Sequence, residues 1–280
     1  MEILSGKAIK DQILAQLKED VVKIKEESKK APALGLVRIG DRPEDLSYRK
    51  GILSSAEKID LAIKEENLAL EASQEDLLAS IGKLNQDPEV GGILVFRPLP
   101  KGFDEEAVNQ AIDPAKDVDC ATPQAQVQLF KGDMGGHKPA TAISALRMIK
   151  RSGIPLSGAN ILIINRSLVI GKPLAMMLLA ENATVTLAHS KSKDLPGLCK
   201  KADIVVTAMG QAKMIDASYV REETVLIDCG LSLDKEGKLS GDVDYASVED
   251  KVRAITPVPG GVGALTNTCL LESCLKYFKN

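Results

Sequence analysis

The chain of 280 residues is poor in aromatic residues, contains two histidines and lacks tryptophan. Aromatic residues make up 3% of the sequence, so any ring-stacking role falls to few side chains. With only His137 and His189, neither a histidine-based metal site nor a Ser-His-Asp triad is expected, and we predict no metal. The five cysteines are odd in number, scattered and without a CxxC pair. This usage predicts reduced thiols rather than a disulfide or zinc framework.

Charge and hydropathy exclude further classes of binding partner and of protein. A net charge of −3 gives no reason to expect nucleic acid or an anionic membrane as a partner. No apolar stretch approaches the ~20 residues needed to span a bilayer, and Met1–Lys7 lacks a signal-peptide pattern. We therefore expect a cytoplasmic protein that binds neither nucleic acid nor membrane. The length suffices for one large domain or two smaller ones.

Short apolar runs alternate with amphipathic segments, which predicts β-α-β units with parallel sheets and helices on both faces. The predicted strands are Leu34–Ile39, Leu61–Glu65, Gly92–Phe96, Asn160–Ile164, Ala183–Ala188, Asp203–Thr207, Thr224–Asp228 and Ala254–Ile255. The predicted helices are Glu44–Lys58, Gln74–Asn85, Glu105–Ile112, Ala140–Lys150, Pro173–Glu181, Asp194–Lys201 and Leu265–Lys279.

The alternation breaks around residues 113–140, and the stretch from Asp113 to His137 is predicted to be rich in loops. We therefore expect two α/β domains rather than one continuous sheet. The predicted boundaries are residues 1–138 for the first domain, completed by a C-terminal helix over 267–280, and residues 139–266 for the second. In such folds ligands bind at the carboxyl ends of strands, here expected in a cleft between the domains.

The run from Ile161 to Pro173 is an apolar strand, a polar turn and a helix start. A dinucleotide diphosphate would meet the helix N-terminus there. The usual GxGxxG is absent, so the generic fingerprint fails. Arg166 in the turn, with Ser190 and Lys191 after the next strand, offers donors and positive charge that suit a ribose 2′-phosphate. This predicts NADP rather than NAD as cofactor, the alternatives being NAD, a solvated basic loop and a turn that binds no nucleotide.

The run Thr256–Gly263 holds three glycines and two prolines within eight residues. Proline fixes φ, and glycine lets the backbone approach a bound molecule without an intervening Cβ. Such a stiff loop is typical either of a wall against a flat ligand or of a structural turn.

Taken together and in order, the motifs resemble the methylenetetrahydrofolate dehydrogenase/methenyltetrahydrofolate cyclohydrolase family. The matching blocks are Gly40-Asp41-x-Pro43 followed by Tyr48, Gly92-Ile93-Leu94-Val95 with Pro98-Leu99-Pro100, Lys116-Asp117-Val118-Asp119, Arg166-Ser167 with Gly171-x-Pro173, Gly241-Asp242-Val243-Asp244, and the proline-glycine loop. The resemblance covers nearly the whole chain. It implies an α/β folate domain, a Rossmann-type NAD(P) domain, a folate cleft between them and a homodimer.

The resemblance also implies roles for individual residues. Tyr48 and Asp119 would be the catalytic pair, with Tyr48 bordering the folate and Asp119 accepting hydrogen bonds from the pterin amino and ring N–H groups. The implied substrate-binding residues further include Gly260, Gly261 and Val262. The implied cofactor-binding residues are Asn165, Arg166, Ser167, Ser190 and Leu231.

Departures from the family pattern concern the hydrolytic step. Family members that hydrolyse the methenyl group carry a lysine four residues after the tyrosine, one helical turn on, and this position is Ile52. Lys50 lies about 200° around the helix from Tyr48 and should point away. The glutamine that supports the lysine falls at Phe96. Further departures are Cys120 for a glycine, Asn165 for a glycine, and Pro139-Ala140-Thr141-Ala142 for Pro-Cys-Thr-Pro.

The two family reactions make different demands on the protein. Hydride transfer from 5,10-methylenetetrahydrofolate to a nicotinamide requires that two rings be positioned and water excluded. Hydrolysis of the methenyl product requires proton transfers, which a positioned group speeds by about 10²–10⁴-fold. We therefore predict a dehydrogenase with weak or absent cyclohydrolase activity. The alternatives are a bifunctional enzyme in which Lys50 or Lys58 reaches the site after a register shift near Gly51, and a non-catalytic paralogue that binds folate or nucleotide.

Overall fold

The computed structural model describes residues 1–279, which divide into two compact units. The N-terminal unit comprises residues 11–128, 135–140 and 267–279. The C-terminal unit comprises residues 1–10, 129–134 and 141–266. This division differs from the predicted one at residues 1–10 and 129–134, which belong to the C-terminal unit, and at residues 139–140, which belong to the N-terminal unit.

Helices and strands alternate from end to end. In the first half their bounds are β1 (Glu2–Ile3), α1 (Lys7–Ser28), β2 (Ala33–Ile39), α2 (Pro43–Lys58), β3 (Ala62–Leu68), α3 (Gln74–Gln86), β4 (Val90–Val95), α4 (Glu105–Ala111) and α5 (Pro123–Phe130). In the second half they are α6 (Ala140–Arg151), β5 (Asn160–Ile164), α7 (Gly171–Ala180), β6 (Thr184–Ala188), α8 (Leu195–Lys201), β7 (Ile204–Thr207), β8 (Val225–Asp228), β9 (Ser232–Leu233), β10 (Leu239–Ser240), α9 (Tyr245–Val248), β11 (Ala254–Ile255) and α10 (Gly263–Lys276).

The predicted strands and helices agree with these elements within about three residues at each end, as expected for pattern-based boundaries. Three α-helices escaped prediction: α1, α5 and the single-turn α9. Helix α1 buries Leu14, Leu17, Val21 and Ile24 on one face, a three-four spacing that could have revealed it. Helix α5 lies inside the stretch predicted to be loop-rich.

The N-terminal unit contains a parallel sheet with the order β3-β2-β4. All seven residues of the central strand β2 are buried, which explains its nearly continuous apolar sequence. Helix α3 begins at Ser73, whose side chain forms a capping box with Asp76. It packs Leu77, Ile81 and Leu84 into the core formed by β2 and β4. Because β2 and β4 are parallel, their carboxyl ends lie at the same edge of the sheet. The strand order reverses between them, and ligands bind at this position in such sheets.

The C-terminal unit contains a parallel sheet with the order β1-β11-β8-β7-β5-β6. Strand β1 pairs with β11, Glu2 with Ala254 and Ile3 with Ile255. This pairing is the reason that the first residues join the C-terminal unit. Strand β5 lies between β6 and β7, so the chain crosses over β5 after β6 and the order reverses there. Loops after β5, β6 and β7 therefore meet at a switch point.

No helix within the described residues 1–279 is long and apolar enough to cross a bilayer.

Candidate active site

Tyr48 and Phe96 meet at the carboxyl edge of the N-terminal sheet. Tyr48 is half-buried on α2, and Phe96 follows β4 directly. Their ring centroids lie 5.8 Å apart with the planes at 67°, an edge-to-face contact. The Phe96 amide donates to the Val37 carbonyl at 2.9 Å and so extends the β2–β4 pairing by one residue. Phe96 is therefore held against Tyr48 by the sheet itself.

Helix α2 carries Ile52 one turn after Tyr48, and Ile52 has 0% exposure. The helix is continuous from Pro43 to Lys58, so no register shift occurs within it. Lys50 and Lys58 are both exposed. Gly51 lies against α10: a Cβ there would come within 2.6 Å of the Asn267 side-chain nitrogen. The structure thus places an apolar side chain, and neither Lys50 nor Lys58, at the buried position one turn from Tyr48.

Asp119 is aligned with β4 by the segment that precedes it. Asp117 forms a parallel bridge with Ile93 of β4, and its buried carboxylate accepts from the Ala121 amide at 3.0 Å and the Thr122 amide at 2.7 Å. Burial raises the pKa of Asp119 to about 7; the charge of Asp117 raises it further and that of Arg97 opposes. Burial also raises the pKa of Tyr48, with the Asp119 charge adding to the effect. The charge of Asp119 therefore acts on the Tyr48 hydroxyl, and the roles of both residues towards the folate stay predictions.

Lys116, in the same motif, has a structural environment that its sequence did not reveal. It is 2% exposed, and its ammonium donates to the carbonyls of Leu84 at 3.3 Å, Asn85 at 2.7 Å and Asp87 at 2.8 Å. These carbonyls lie at the C-terminal end of α3, where positive charge is favourable. The ammonium also lies 5.2 Å from the centre of the Tyr277 ring. Lys116 caps a helix.

Two residues were not predicted as site residues: Cys120, which follows Asp119 in the chain, and Lys138, whose charge acts on Cys120. Cys120 is buried with φ of +55°, in the left-handed region that favours the glycine of the family pattern. Burial raises the pKa of the Cys120 thiol to about 12, the charges of Asp117 and Asp119 adding and that of Lys138 opposing. Lys138 is 6% exposed and donates to the Gly136 carbonyl at 2.8 Å. A buried ammonium is thus present in the electrostatic surroundings of the Asp119 segment.

A second candidate site lies at the switch point of the C-terminal sheet. It is a cavity of about 630 Å³ lined by residues that directly follow three strands. Asn165, Arg166 and Ser167 follow β5, His189 and Ser190 follow β6, and Ala208 and Met209 follow β7. Four of the five residues predicted to bind cofactor therefore line one cavity. Leu231 does not: it is 62% exposed and lies outside this lining.

The loop after β7, which lines this cavity, is braced by the buried Asp242, and the buried Asp228 in turn bonds the backbone of residues 242 and 243. Asp242, of the Gly-Asp-Val-Asp motif, accepts from the Thr207 hydroxyl at 2.8 Å and from the amides of Met209 at 2.6 Å and Gln211 at 2.8 Å. Asp228 accepts from the Gly230 amide at 2.8 Å. It is also bonded by the amides of residues 242 and 243, at 3.2 and 2.9 Å. The motif therefore holds a loop that shapes the cavity.

Packing within the C-terminal unit accounts for two glycines of the proline-glycine loop. Gly260 has φ of +110°, and its carbonyl accepts from the Gly6 amide at 2.9 Å. A Cβ at Gly261 would lie 2.7 Å from both the Pro257 carbonyl oxygen and the Thr256 Cβ. Val262 is 1% exposed. The role of Gly260, Gly261 and Val262 towards substrate stays a prediction.

Fold and sites together define a two-domain α/β protein with a dinucleotide-type switch-point cavity in its C-terminal unit. Two family descriptions match the chain: "Tetrahydrofolate dehydrogenase/cyclohydrolase, catalytic domain" over residues 4–119, and "Tetrahydrofolate dehydrogenase/cyclohydrolase, NAD(P)-binding domain" over residues 139–280. The chain belongs to the tetrahydrofolate dehydrogenase/cyclohydrolase family.

Individual relatives match over nearly their whole length. The bifunctional protein FolD 1 of Desulfitobacterium hafniense is 44% identical over 100% of this chain and 99% of its own. The structure of the bifunctional enzyme FolD from Campylobacter jejuni superposes with a TM-score of 0.96 at 35% identity, covering 100% of this chain and 99% of that one. The Trypanosoma brucei FolD structure, complexed with NADP cofactor and inhibitor, superposes with a TM-score of 0.93 at 30% identity, covering 99% and 97%.

These matches confirm the predicted family, the two-domain α/β fold and the class of NAD(P)-dependent methylenetetrahydrofolate dehydrogenase. The prediction of NADP as cofactor, with NAD possible, agrees with the NAD(P)-binding domain. The Desulfitobacterium hafniense relative is named bifunctional and the Campylobacter jejuni structure is named a dehydrogenase/cyclohydrolase, so the loss of cyclohydrolase activity in this chain stays a prediction.

Proposed function

We propose that this enzyme oxidises 5,10-methylenetetrahydrofolate to 5,10-methenyltetrahydrofolate by hydride transfer to NADP, and that it hydrolyses the methenyl product weakly or not at all. The observation that carries the second part is the apolar contact around Tyr48. Where hydrolytic family members have a lysine and a glutamine, this chain has the fully buried Ile52 and Phe96, which packs edge to face on the Tyr48 ring. Neither side chain can donate or accept a proton.

Hydride transfer remains feasible with these residues. NADP, when bound, supplies the hydride acceptor, and a nitrogen lone pair of the folate stabilises the cation left on the one-carbon bridge. The protein needs to hold the pterin and exclude water from it. Asp119 holds the pterin when it is ionised, because a carboxylate accepts hydrogen bonds from the pterin amino and ring N–H groups. Tyr48 and Phe96 exclude water by presenting aromatic surface at the sheet edge.

The donor set of the switch-point cavity fits NADP. Arg166, Ser167 and Ser190 line it with a guanidinium and two hydroxyl groups, which suit phosphate oxygens. Among the described residues that line this cavity, there is no acidic side chain to accept from a ribose 2′-hydroxyl. This composition supports a preference for NADP over NAD.

Product partition tests the proposal. The purified enzyme is mixed with methylenetetrahydrofolate and NADP, and the absorbance of the methenyl product is followed together with the formation of 10-formyl product. We expect the methenyl compound to accumulate and to decay at the spontaneous rate. Formation of 10-formyl product faster than in the enzyme-free control would refute the predicted weak or absent hydrolysis. Failure to reduce NADP at all would refute the proposed dehydrogenase activity.

The second candidate is a full bifunctional enzyme that uses a different lysine. The relatives are named bifunctional, and the charge of the buried Lys138 opposes the burial-driven rise in the pKa of Cys120, which follows Asp119 in the chain. Lys138 is a stronger candidate than Lys50 or Lys58, since both of those are exposed on α2. If enzyme-dependent hydrolysis is found, Lys138→Met should abolish it, whereas Lys50→Met should not.

We also propose that the chain forms a homodimer, which the family resemblance implies. The hairpin β9–β10 presents Leu233 and Leu239 as cross-strand partners, exposed by 63% and 58%. Exposed apolar pairs of this kind are typical of interfaces. A solution mass equal to one chain, measured by light scattering, would contradict the proposal.

A further inference from the structure

The first turn of α7 lies where a dinucleotide diphosphate is expected, yet its amides are bonded within the chain. The Gly171 amide donates to the Asn165 side-chain oxygen at 3.1 Å, and the Lys172 amide donates to the Ser167 carbonyl at 3.0 Å. The preceding amide, of Ile170, donates to the Ser167 hydroxyl at 3.3 Å. Pro173 has no N–H. From Ile170 to Pro173 every N–H of this helix start already has an acceptor.

Asn165 uses its whole carboxamide in this arrangement. Its oxygen also accepts from the Ser167 amide at 2.8 Å, and its nitrogen donates to the Ala208 carbonyl at 2.7 Å. The side chain thereby joins the turn after β5, the start of α7 and the loop after β7. An acceptor oxygen between two amides at a helix N-terminus is the position that a phosphate oxygen takes in such sites.

We propose that the Asn165 carboxamide takes the place of a phosphate oxygen at α7, so that the cofactor diphosphate is held by side chains and not by these two amides. The inference rests on the proposed cofactor site, and it changes the implied role of Asn165 from a cofactor contact to a stand-in for one. Among the side chains that line the cavity, the Ser167 hydroxyl is the one left for the diphosphate, since Arg166 and Ser190 suit the 2′-phosphate.

Removing the carboxamide should free the two amides without collapsing the cavity. The loop after β7 is held independently by Asp242, which bonds Thr207, Met209 and Gln211. Helix α7 is held by its own packing, with Leu174 and Leu178 fully buried. The amides of Ser167 and Gly171 would then face the cavity as donors for an anion.

The experiment compares two ligands that differ only by a 5′-phosphate, adenosine 2′-phosphate and adenosine 2′,5′-bisphosphate. Their dissociation constants are measured by calorimetry for the wild type and for Asn165→Gly, and the ratio of the two constants reports the contribution of the 5′-phosphate. The ratio is the dissociation constant of adenosine 2′-phosphate divided by that of adenosine 2′,5′-bisphosphate. We expect this ratio to be about threefold or more higher for Asn165→Gly than for the wild type, because the freed amides bind the 5′-phosphate. General loosening of the loop affects both ligands and leaves the ratio unchanged.

Asn160→Gly is the matched control, because Asn160 is exposed at the opposite end of β5 and uses its backbone amide to bond Asp203. Its ratio should equal that of the wild type. Asn165→Ala, with a stiffer backbone, should behave like Asn165→Gly and replaces it if the glycine variant unfolds. An unchanged or smaller ratio in the Asn165 variants, with both ligands bound by the wild type, would overturn the inference. Absence of saturable binding of either ligand to the wild type would contradict the proposed cofactor site, and with it this inference.

Discussion

Replacing Ile52 by lysine and Phe96 by glutamine restores at one site both polar groups that the family pattern associates with hydrolysis. Ile52 is fully buried one turn from Tyr48, so a lysine there enters an apolar environment that lowers its pKa towards neutrality. A positioned proton donor and acceptor speeds such a step by about 10²–10⁴-fold. We therefore expect the double variant to consume methenyltetrahydrofolate at least about 100 times faster than the wild-type enzyme.

The same replacement costs stability, and the size of the cost follows from the packing of the two native side chains. Burial of an isoleucine side chain contributes about 1.5–3 kcal/mol, and an edge-to-face pair such as Tyr48–Phe96 about 0.5–1.5 kcal/mol. The double variant should therefore unfold at least several degrees lower than the wild type, since about 1 kcal/mol corresponds to about 2–4 °C at this domain size. Thermal unfolding followed by circular dichroism measures this effect separately from catalysis.

A matched control separates polarity from repacking. Ile52→Met with Phe96→Leu disturbs the same packing but introduces no ionisable or amide group. It should lose similar stability and gain no hydrolysis. If the lysine-glutamine variant folds, retains dehydrogenase activity and still hydrolyses no faster than the control, the missing pair is not the reason for the predicted weak cyclohydrolase, and the reasoning fails.

Three further predictions concern other residues. Because the pKa of Asp119 is about 7, folate affinity should rise as the pH rises through 7 and the carboxylate ionises; the pH dependence of KM for the folate, with Asp119→Asn for comparison, measures this. Lys116→Met removes three hydrogen bonds from an ammonium to the end of α3 and should cost about 2–4 kcal/mol of unfolding free energy in urea denaturation. Arg166→Ala should weaken NADP about tenfold in calorimetric titration and NAD by less, since only NADP carries the 2′-phosphate.

Each of these has an outcome that contradicts it. A KM for the folate that is flat between pH 5 and 8 in the wild type, or equally steep in Asp119→Asn, would exclude Asp119 as the titrating group. Lys101 is exposed, and an equal loss of stability in Lys101→Met would show that the effect of Lys116→Met is not due to helix capping. Equal weakening of NADP and NAD by Arg166→Ala would place Arg166 on a part common to both cofactors.

Asp119 also affects the stability of the fold, with a sign that follows from its raised pKa. The folded chain binds the Asp119 proton more tightly than the unfolded chain does. The corresponding stabilisation is fully present below the unfolded pKa of about 4 and is lost as the pH rises to about 7. This loss accompanies the ionisation that substrate binding requires.

The sequence by itself determined most of the segments that form strands and helices, α1 and α5 being exceptions, because the periodicity of apolar residues reflects which face of each segment is buried. It also determined the family, since ordered motifs such as Lys116–Asp119 and Arg166–Ser167 are local in the chain. It allowed Ile52 and Phe96 to be recognised as departures from the family pattern. These features depend on neighbours within a few residues, and local neighbours can be read directly.

Only the tertiary structure decided what these residues touch. Phe96 meets the Tyr48 ring because the sheet order β3-β2-β4 brings the end of β4 beside α2. Lys116 caps α3, and the Asn165 carboxamide bonds the start of α7 and the loop after β7. Strand β1 joins the C-terminal sheet although it begins the chain. Such contacts join segments that are distant in sequence, and their energies depend on strand order and burial, which no local pattern encodes.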